Sequence, residues 1–376
     1  MRTRTAHNKS AACTERTVLW WSRSGRDYSR DRIIRDAFRS LGWKIHDFRP
    51  ALSMLGDVEA RFRNFGKPDL VWIPCFRQRD AAAAQRWAAR NGIPVVFDPL
   101  ISAWDKQVFE RQKFDKNSGK AKRLLRWESK ILQNSTRVVA DTECHAEFFH
   151  QSLNVSAGQT FVIPVSAEEA LFPLQPHRTP AADFHVLFYG SFIGLQGPQF
   201  IAQAAVLAPE IKWTFIGNGP LLNECTSITE GLKNVNYISR VPYKDLAGLI
   251  GQADLLCGVF GTSAKAGRVI PNKVYQALAC GRCVVTRSSN AYPDALTSLP
   301  PQESGIVWVK EGSATELAAA VRIMAGQPKA AIESGSAARA TFERHFCNNV
   351  VLTKLNALLQ SLGLSIETST AIPSAA

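Results

Sequence analysis

The sequence predicts a doubly wound α/β architecture that occurs twice, in two domains. Three observations carry this expectation. Short apolar runs alternate with amphipathic segments from about residue 17 to residue 326, the pattern of parallel strands joined by crossover helices. The alternation breaks once, at Pro173, Pro176 and Pro180, which reads as a linker. The length of 376 residues also exceeds what one hydrophobic core commonly serves.

In the first half, Thr17–Trp21 reads as a strand and 29–41 as a helix. Strands follow at 43–48, 69–73 and 93–97, with helices near 56–65 and 80–91 between them. A long helical region over 105–134 precedes a strand at 137–140, a helix opened by Asp141 and Thr142, and a strand at 160–163. The second half repeats the alternation, with strands at 184–189, 211–216, 235–238, 254–258, 283–286 and 305–309. The expected organisation is a basic tail (1–16), a first domain (17–172), the linker (173–183), a second domain (184–345), a C-terminal helix (346–364) and a disordered tail (365–376) of small and polar residues. Two doubly wound domains bind ligand in the cleft between the C-terminal ends of their strands.

Composition bounds the function. A hydrophobic content of 45% with 9 Trp and 20 Phe is ample for packed interiors. No run approaches the 18 or so apolar residues of a transmembrane helix. Residues 1–13 are basic but lack an apolar core, so no secretory signal is expected. The 8 cysteines show no disulfide-framework spacing, and reduced thiols in a cytosolic protein are expected. Cys280 and Cys283 form a lone Cys-x-x-Cys. Two ligands cannot close a tetrahedral zinc site, so packing is the expected role and no metal or cofactor is implied. The net charge of +13 suits nucleic acid, an anionic membrane face or phosphorylated substrates. No nucleic-acid module accompanies it, so a nucleic-acid partner is not expected.

The segment 253–286 carries the most chemistry. It reads as a buried strand, a loop bearing Gly261 and Lys265, a helix opened by Pro271, Asn272 and Lys273, a stop at Gly281 and a second buried strand. Pro tolerates the first helical turn and Asn caps it. Backbone N–H groups at such a helix start are unpaired and carry the positive end of the dipole, which suits a bound diphosphate. Lys273 stands where that dipole disfavours a cation, a conflict that an anion in front of it removes. Residues 190–197 supply a second glycine-bearing turn between strand and helix, and Gly217 and Gly219 a third. Neither has the dinucleotide spacing. After the first strand, residues 22–29 read either as an ordinary basic loop or as a lid, with Gly25 allowing close backbone approach. Asp98 ends a strand at the cleft, either as a turn cap or as a contact to the reacting groups.

Taken together, 96–102, 140–145, 162–165, 171–173, 186–197, 215–220 and 253–286 resemble the family-4 glycosyltransferases, which have the GT-B fold of two Rossmann-like domains facing across a cleft. The resemblance implies that the second domain binds a nucleotide-diphosphate sugar. Phe260, Gly261 and Thr262 would face the sugar. Lys265, Arg268 and Lys273 would surround the diphosphate, and Gly190, Ser191, Gly217 and Gly219 would line the donor site. The family's Glu-x7-Glu falls on Arg268 and Gln276. Gln276 can hydrogen-bond a ribose diol without charge, whereas a guanidinium cannot accept from a sugar hydroxyl. Retaining relatives show no obvious protein nucleophile, so the leaving diphosphate, stabilised by cations and helix dipole, is the main catalytic element implied. Asp98, Lys273 and Arg268 are the catalytic candidates. The altered acidic positions also suit a catalytically silent sugar-nucleotide-binding subunit.

Residues 111–137 contain nine Lys or Arg against Asp115 and Glu128. On the expected helix Leu124, Trp127, Ile131 and Leu132 share one face and Lys122, Arg126 and Lys130 the other. This reads as a solvated face or as a surface for anionic lipid, the latter fitting a glycan or lipid-linked acceptor.

Overall fold

The computed structural model describes residues 15–24, 28–176 and 183–364. The expected lid at Gly25, most of the basic tail, part of the linker and the C-terminal tail lie outside the described residues.

The first half builds one sheet from β1 (Thr17–Trp21), β2 (Lys44–Phe48), β3 (Leu70–Ile73), β4 (Val95–Phe97), β5 (Arg137–Ala140) and β6 (Thr160–Val162). The second builds another from β7 (His185–Tyr189), β8 (Lys212–Ile216), β9 (Val235–Ile238), β10 (Leu255–Cys257), β11 (Val284–Arg287) and β12 (Ile306–Val309). All pairings are parallel, in the orders β2-β1-β3-β4-β5-β6 and β12-β11-β10-β7-β8-β9. Helices cover both faces, which is why strands such as β3 and β4 are apolar and buried throughout. Strand order reverses between β1 and β3 in the first sheet and between β7 and β10 in the second. Each reversal opens a crevice at the strand C-termini, and the two crevices face one another.

Two local readings are corrected. The helical region expected over 105–134 is interrupted: a short turn at Ala103–Asp105 runs into a π-turn at Lys106–Glu110, and the helix proper begins only at Gly119. Ser118 ends the intervening loop and caps that helix, its Oγ accepting from Ala121 N at 3.1 Å. The helix expected to be capped by Asn272 is capped by position instead. Pro271 is its N-cap residue, without a side-chain cap, and Asn272 is the first helical residue.

The last helix, Asn348–Gln360, crosses back to the first half. There Val351, Leu355, Leu358 and Leu359 share a core with Val18, Trp20, Ile33 and Phe38.

Candidate functional site

Between the two crevices lies a cleft of about 470 Å³. Its walls come from loops at strand ends: Tyr28 and Phe76 beside the first reversal, and Gly190, Ser191, Gln196 and Lys265 beside the second. The start of the helix Asn272–Ala279 forms its floor with Pro271, Asn272, Lys273 and Gln276.

Lys273 dominates the electrostatics. Its side chain is buried, Nζ donates to Gln196 Oε1 at 2.6 Å and sits 3.9 Å from the centroid of the Phe188 ring. Among the described residues no carboxylate pairs with it. Burial pushes its ammonium down to about 7, because the charged form lacks the compensation that water or a counter-ion would give. Gly190 makes room for this arrangement. Its φ is 147°, and a Cβ there would lie 2.5 Å from Gln196 Oε1 and 3.1 Å from Lys273 Nζ.

The other expected cations are occupied. Lys265 lines the cleft but pairs with Glu110 of the first half. Arg268 turns away from the cleft. Its Nη2 reaches Asp105 Oδ1 at 2.9 Å, and its guanidinium lies 4.4 Å over Phe148, in a separate recess with Trp104 and Phe109. Asn272 Nδ2 donates to Tyr28 OH at 3.3 Å and to Ser29 Oγ at 3.2 Å. Thr142 Oγ1 donates to Arg268 O at 2.7 Å. The two halves are therefore joined by the elements that line the cleft.

Gln276 is buried with both ends of its amide engaged. Oε1 accepts from Tyr189 OH at 2.8 Å, and Nε2 donates to Tyr243 OH at 3.0 Å. Tyr243 in turn donates to Glu168 Oε2 at 3.0 Å, and Glu168 accepts from Arg32 Nη2 at 2.7 Å. This chain runs from the cleft floor across to the first half.

Asp98 does not line the cleft; its carboxylate takes a backbone hydrogen bond from Leu100 two residues on, as a turn cap does. It is buried against Arg30, whose Nε donates to it at 2.7 Å, and Arg30 Nη1 donates to Ile163 O and Pro164 O at 3.0 Å. Burial raises the Asp98 carboxyl, which the guanidinium opposes. Gly217, Gly219, Phe260, Gly261 and Thr262 do not line the cleft. A Cβ at Gly217 would meet Gly190 O at 1.9 Å, so that glycine lets one turn lie on another. The Phe260 side chain is buried in the core of the second half. Gly261 packs against the carbonyls of Gly194 and Leu195.

Sequence reasoning did not single out Tyr28, Glu110, Tyr189 or Tyr243. Nor did it place Asp141, read as a helix opener, in the cleft wall, where its Oδ1 accepts from His145 Nδ1 at 2.6 Å. Tyr28, Tyr189 and Asp141 lie within the runs 22–29, 186–197 and 140–145 without being marked there as site residues, Glu110 and Tyr243 lie outside any such run, and the tertiary fold brings them together.

Two Rossmann-like halves whose crevices open into one shared cleft define the GT-B class of sugar-transferring enzymes. The comparisons agree. A glycosyl transferase 4-like domain matches residues 11–166, and a glycosyl transferases group 1 domain matches residues 183–326. The chain belongs to the family-4-like glycosyltransferases. Among solved structures it is similar to sucrose-phosphate synthase from Thermosynechococcus elongatus (TM-score 0.71, 15% identity, 93% of this chain and 99% of that one). It is also similar to HepE of Anabaena in complex with UDP (TM-score 0.69, 15% identity, 92% and 100%). A third is the lipopolysaccharide outer core galactosyltransferase WaaB (TM-score 0.61, 14% identity, 92% and 99%). At these identities the likeness is one of fold. No curated protein sequence matches the chain.

Proposed function

We propose that the cleft holds a nucleotide-diphosphate sugar and that the enzyme transfers the sugar, with retention of anomeric configuration, to a glycan or lipid-linked acceptor. The observation that carries this reading is Lys273: a buried amine with no carboxylate partner among the described residues, in the first turn of a helix whose N-terminus faces the same space. A diphosphate there would restore the charge balance that burial removes, and the unpaired N–H groups would bind its oxygens. Lys265 is the second cation within reach once it leaves Glu110. In the reaction the bond from the anomeric carbon to the diphosphate breaks, and its electron pair goes to the leaving phosphate oxygen. Lys273 and the helix dipole stabilise that charge. The bond to the acceptor oxygen forms on the same face as the acceptor O–H bond breaks, and its proton passes to the departing phosphate oxygen. Gln276 and Tyr243 serve the ribose side of the donor. HepE, bound to UDP and to UDP-glucose in its crystals, supports a uridine nucleotide as the first donor to test.

The exposed cations of 111–137 would draw the first half to an anionic membrane surface, where a lipid-linked acceptor for glycan assembly resides. Among the described residues no helix is long and apolar enough to cross a membrane.

Nucleotide sugars are screened by thermal shift, and the hit is followed by nucleotide release and by NMR of the product's anomeric configuration. Stabilisation with release and a retained configuration is the expected result. An inverted product refutes retention. Stabilisation with no release under any acceptor favours the silent binding subunit, which the full engagement of the Gln276 amide also suits.

A further inference from the structure

Among the described residues, the exposed large apolar side chains are densest in the segment 52–62. Leu52, Met54, Leu55, Val58 and Phe62 are 55%, 79%, 55%, 44% and 85% exposed within eleven positions of sequence. Scattered apolar residues are ordinary on a surface, but a contiguous group marks a site of interaction.

This group is also held in place. Its backbone forms a turn at Ser53–Leu55 and a short helix at Gly56–Ala60. Asp57 is buried beneath them and accepts from Arg86 Nη2 at 2.6 Å and from Arg90 Nη1 at 2.9 Å. The Arg86 hydrogen bond and then the Arg90 one hold that carboxyl down at about 2, against the opposing effect of burial. Arg86 also donates to Met54 O at 2.8 Å, and Glu59 accepts from Ala51 N at 2.7 Å. Gly56 lies so close to Trp21 and Pro50 that a Cβ would approach both at 3.0 Å. A loose loop could fold its apolar groups inward, whereas this one is pinned from below with them turned outward.

The surroundings select the occupant. Ser53 borders a cleft of about 790 Å³ whose other walls carry Arg23, Arg77, Arg79 and Lys113 against the single carboxylate of Asp80, together with Trp127. On the helix Gly119–Gln133 the exposed Lys120 and Arg123 lie two turns and one turn before Trp127 on the same side. Apolar knobs beside a cluster of cations match the acyl and head-group layers of an anionic bilayer. A second copy of the same cationic face would be repelled.

We infer that residues 52–62 form a membrane wedge, which inserts among the acyl chains and seats the basic cleft on anionic lipid head groups. This goes beyond the electrostatic attachment proposed for 111–137 and is independent of the donor's chemistry.

The test is co-sedimentation of the full-length protein with sucrose-loaded vesicles of phosphatidylglycerol and phosphatidylethanolamine, at low and high salt. The unaltered protein is expected to keep part of its binding in high salt, because the inserted apolar part is not screened. M54S/F62S should lower the partition coefficient by about tenfold or more and lose salt-resistant binding. Its unfolding midpoint and nucleoside-diphosphate affinity should stay unchanged, since both side chains point into solvent. Equal partitioning of the two proteins overturns the inference. So does binding that is abolished by K122E/R126E/K130E but untouched by M54S/F62S, which leaves electrostatic attachment alone. A light-scattering dimer that M54S/F62S converts to monomer would assign the patch to self-association and also overturn it.

Discussion

Replacing Lys273 by methionine removes the charge at the cleft floor while keeping most of the side-chain volume. Nζ makes one hydrogen bond, to Gln196, and has no carboxylate partner among the described residues. A diphosphate oxygen would therefore be its first counter-charge. A charge-assisted hydrogen bond of this kind contributes about 1.5–3 kcal/mol, or roughly 10- to 150-fold in affinity for a nucleoside diphosphate. The pH dependence gives an independent signature. In the free protein burial holds Lys273 at about 7, and a bound anion raises it toward the ordinary lysine value. Binding above pH 7 then takes up a proton, so affinity should fall with rising pH, approaching about tenfold per unit. The folding linkage has the opposite slope. The unfolded chain holds this proton up to the ordinary value of 10.5, so the Lys273 contribution to stability grows as pH rises from about 7 toward that value and is lost as pH falls through 7. Isothermal titration calorimetry between pH 7.5 and 9.5, in two buffers of different ionisation enthalpy, measures both the affinity and the proton count. Equal affinities for the unaltered protein and K273M, or binding without proton uptake at high pH, would refute the assignment.

Four further outcomes are expected. Asp98→Ala leaves the buried Arg30 guanidinium unpaired and should cost about 3–5 kcal/mol in urea unfolding, with nucleotide affinity preserved; lost affinity in a stably folded variant would contradict the structural role. Gln276→Leu strips Tyr189 and Tyr243 of a partner and should weaken nucleotide binding by about 1–3 kcal/mol, read by calorimetry against a bare diphosphate, whose affinity should not change. Glu110→Gln frees Lys265 and should tighten nucleoside-diphosphate binding by about 1 kcal/mol; weaker binding would show that the ion pair organises the site rather than competing for it. K122E/R126E/K130E should lower liposome binding at low salt while leaving donor affinity intact, because these side chains are exposed on the helix face opposite its apolar contacts.

The strands were legible because they are short apolar runs covered on both faces. Leu70–Ile73 and Val95–Phe97 could hardly be anything else. The break in 105–134 had a local signal, Ser118 before Gly119, outweighed by the amphipathic pattern around it. In the site, Lys273 and the start of its helix were legible because a cation in an otherwise apolar helical stretch is a local anomaly. The partner of Asp98 was not, since Arg30 lies 68 residues away. The same holds for Arg268, which local pattern assigned to the diphosphate and tertiary pairing commits to Asp105. Tyr243 belongs to no motif, and the turn Tyr243–Asp245 after β9 carries it to Gln276 from the far edge of the sheet.

The return of the last helix to the first half has a consequence for how the protein is made. The first sheet is complete once Val162 has been synthesised, yet one of its helical walls is residues 348–360, with Val351, Leu355 and Leu358 wholly buried. Until those residues emerge, Val18, Trp20 and Phe38 lack part of their cover, and the first half must wait through the synthesis of the entire second half. The second half owes no such debt to late sequence beyond about residue 346. The order of consolidation should therefore run against the order of synthesis: the later half closes first, and the earlier half is sealed by the last helix to appear.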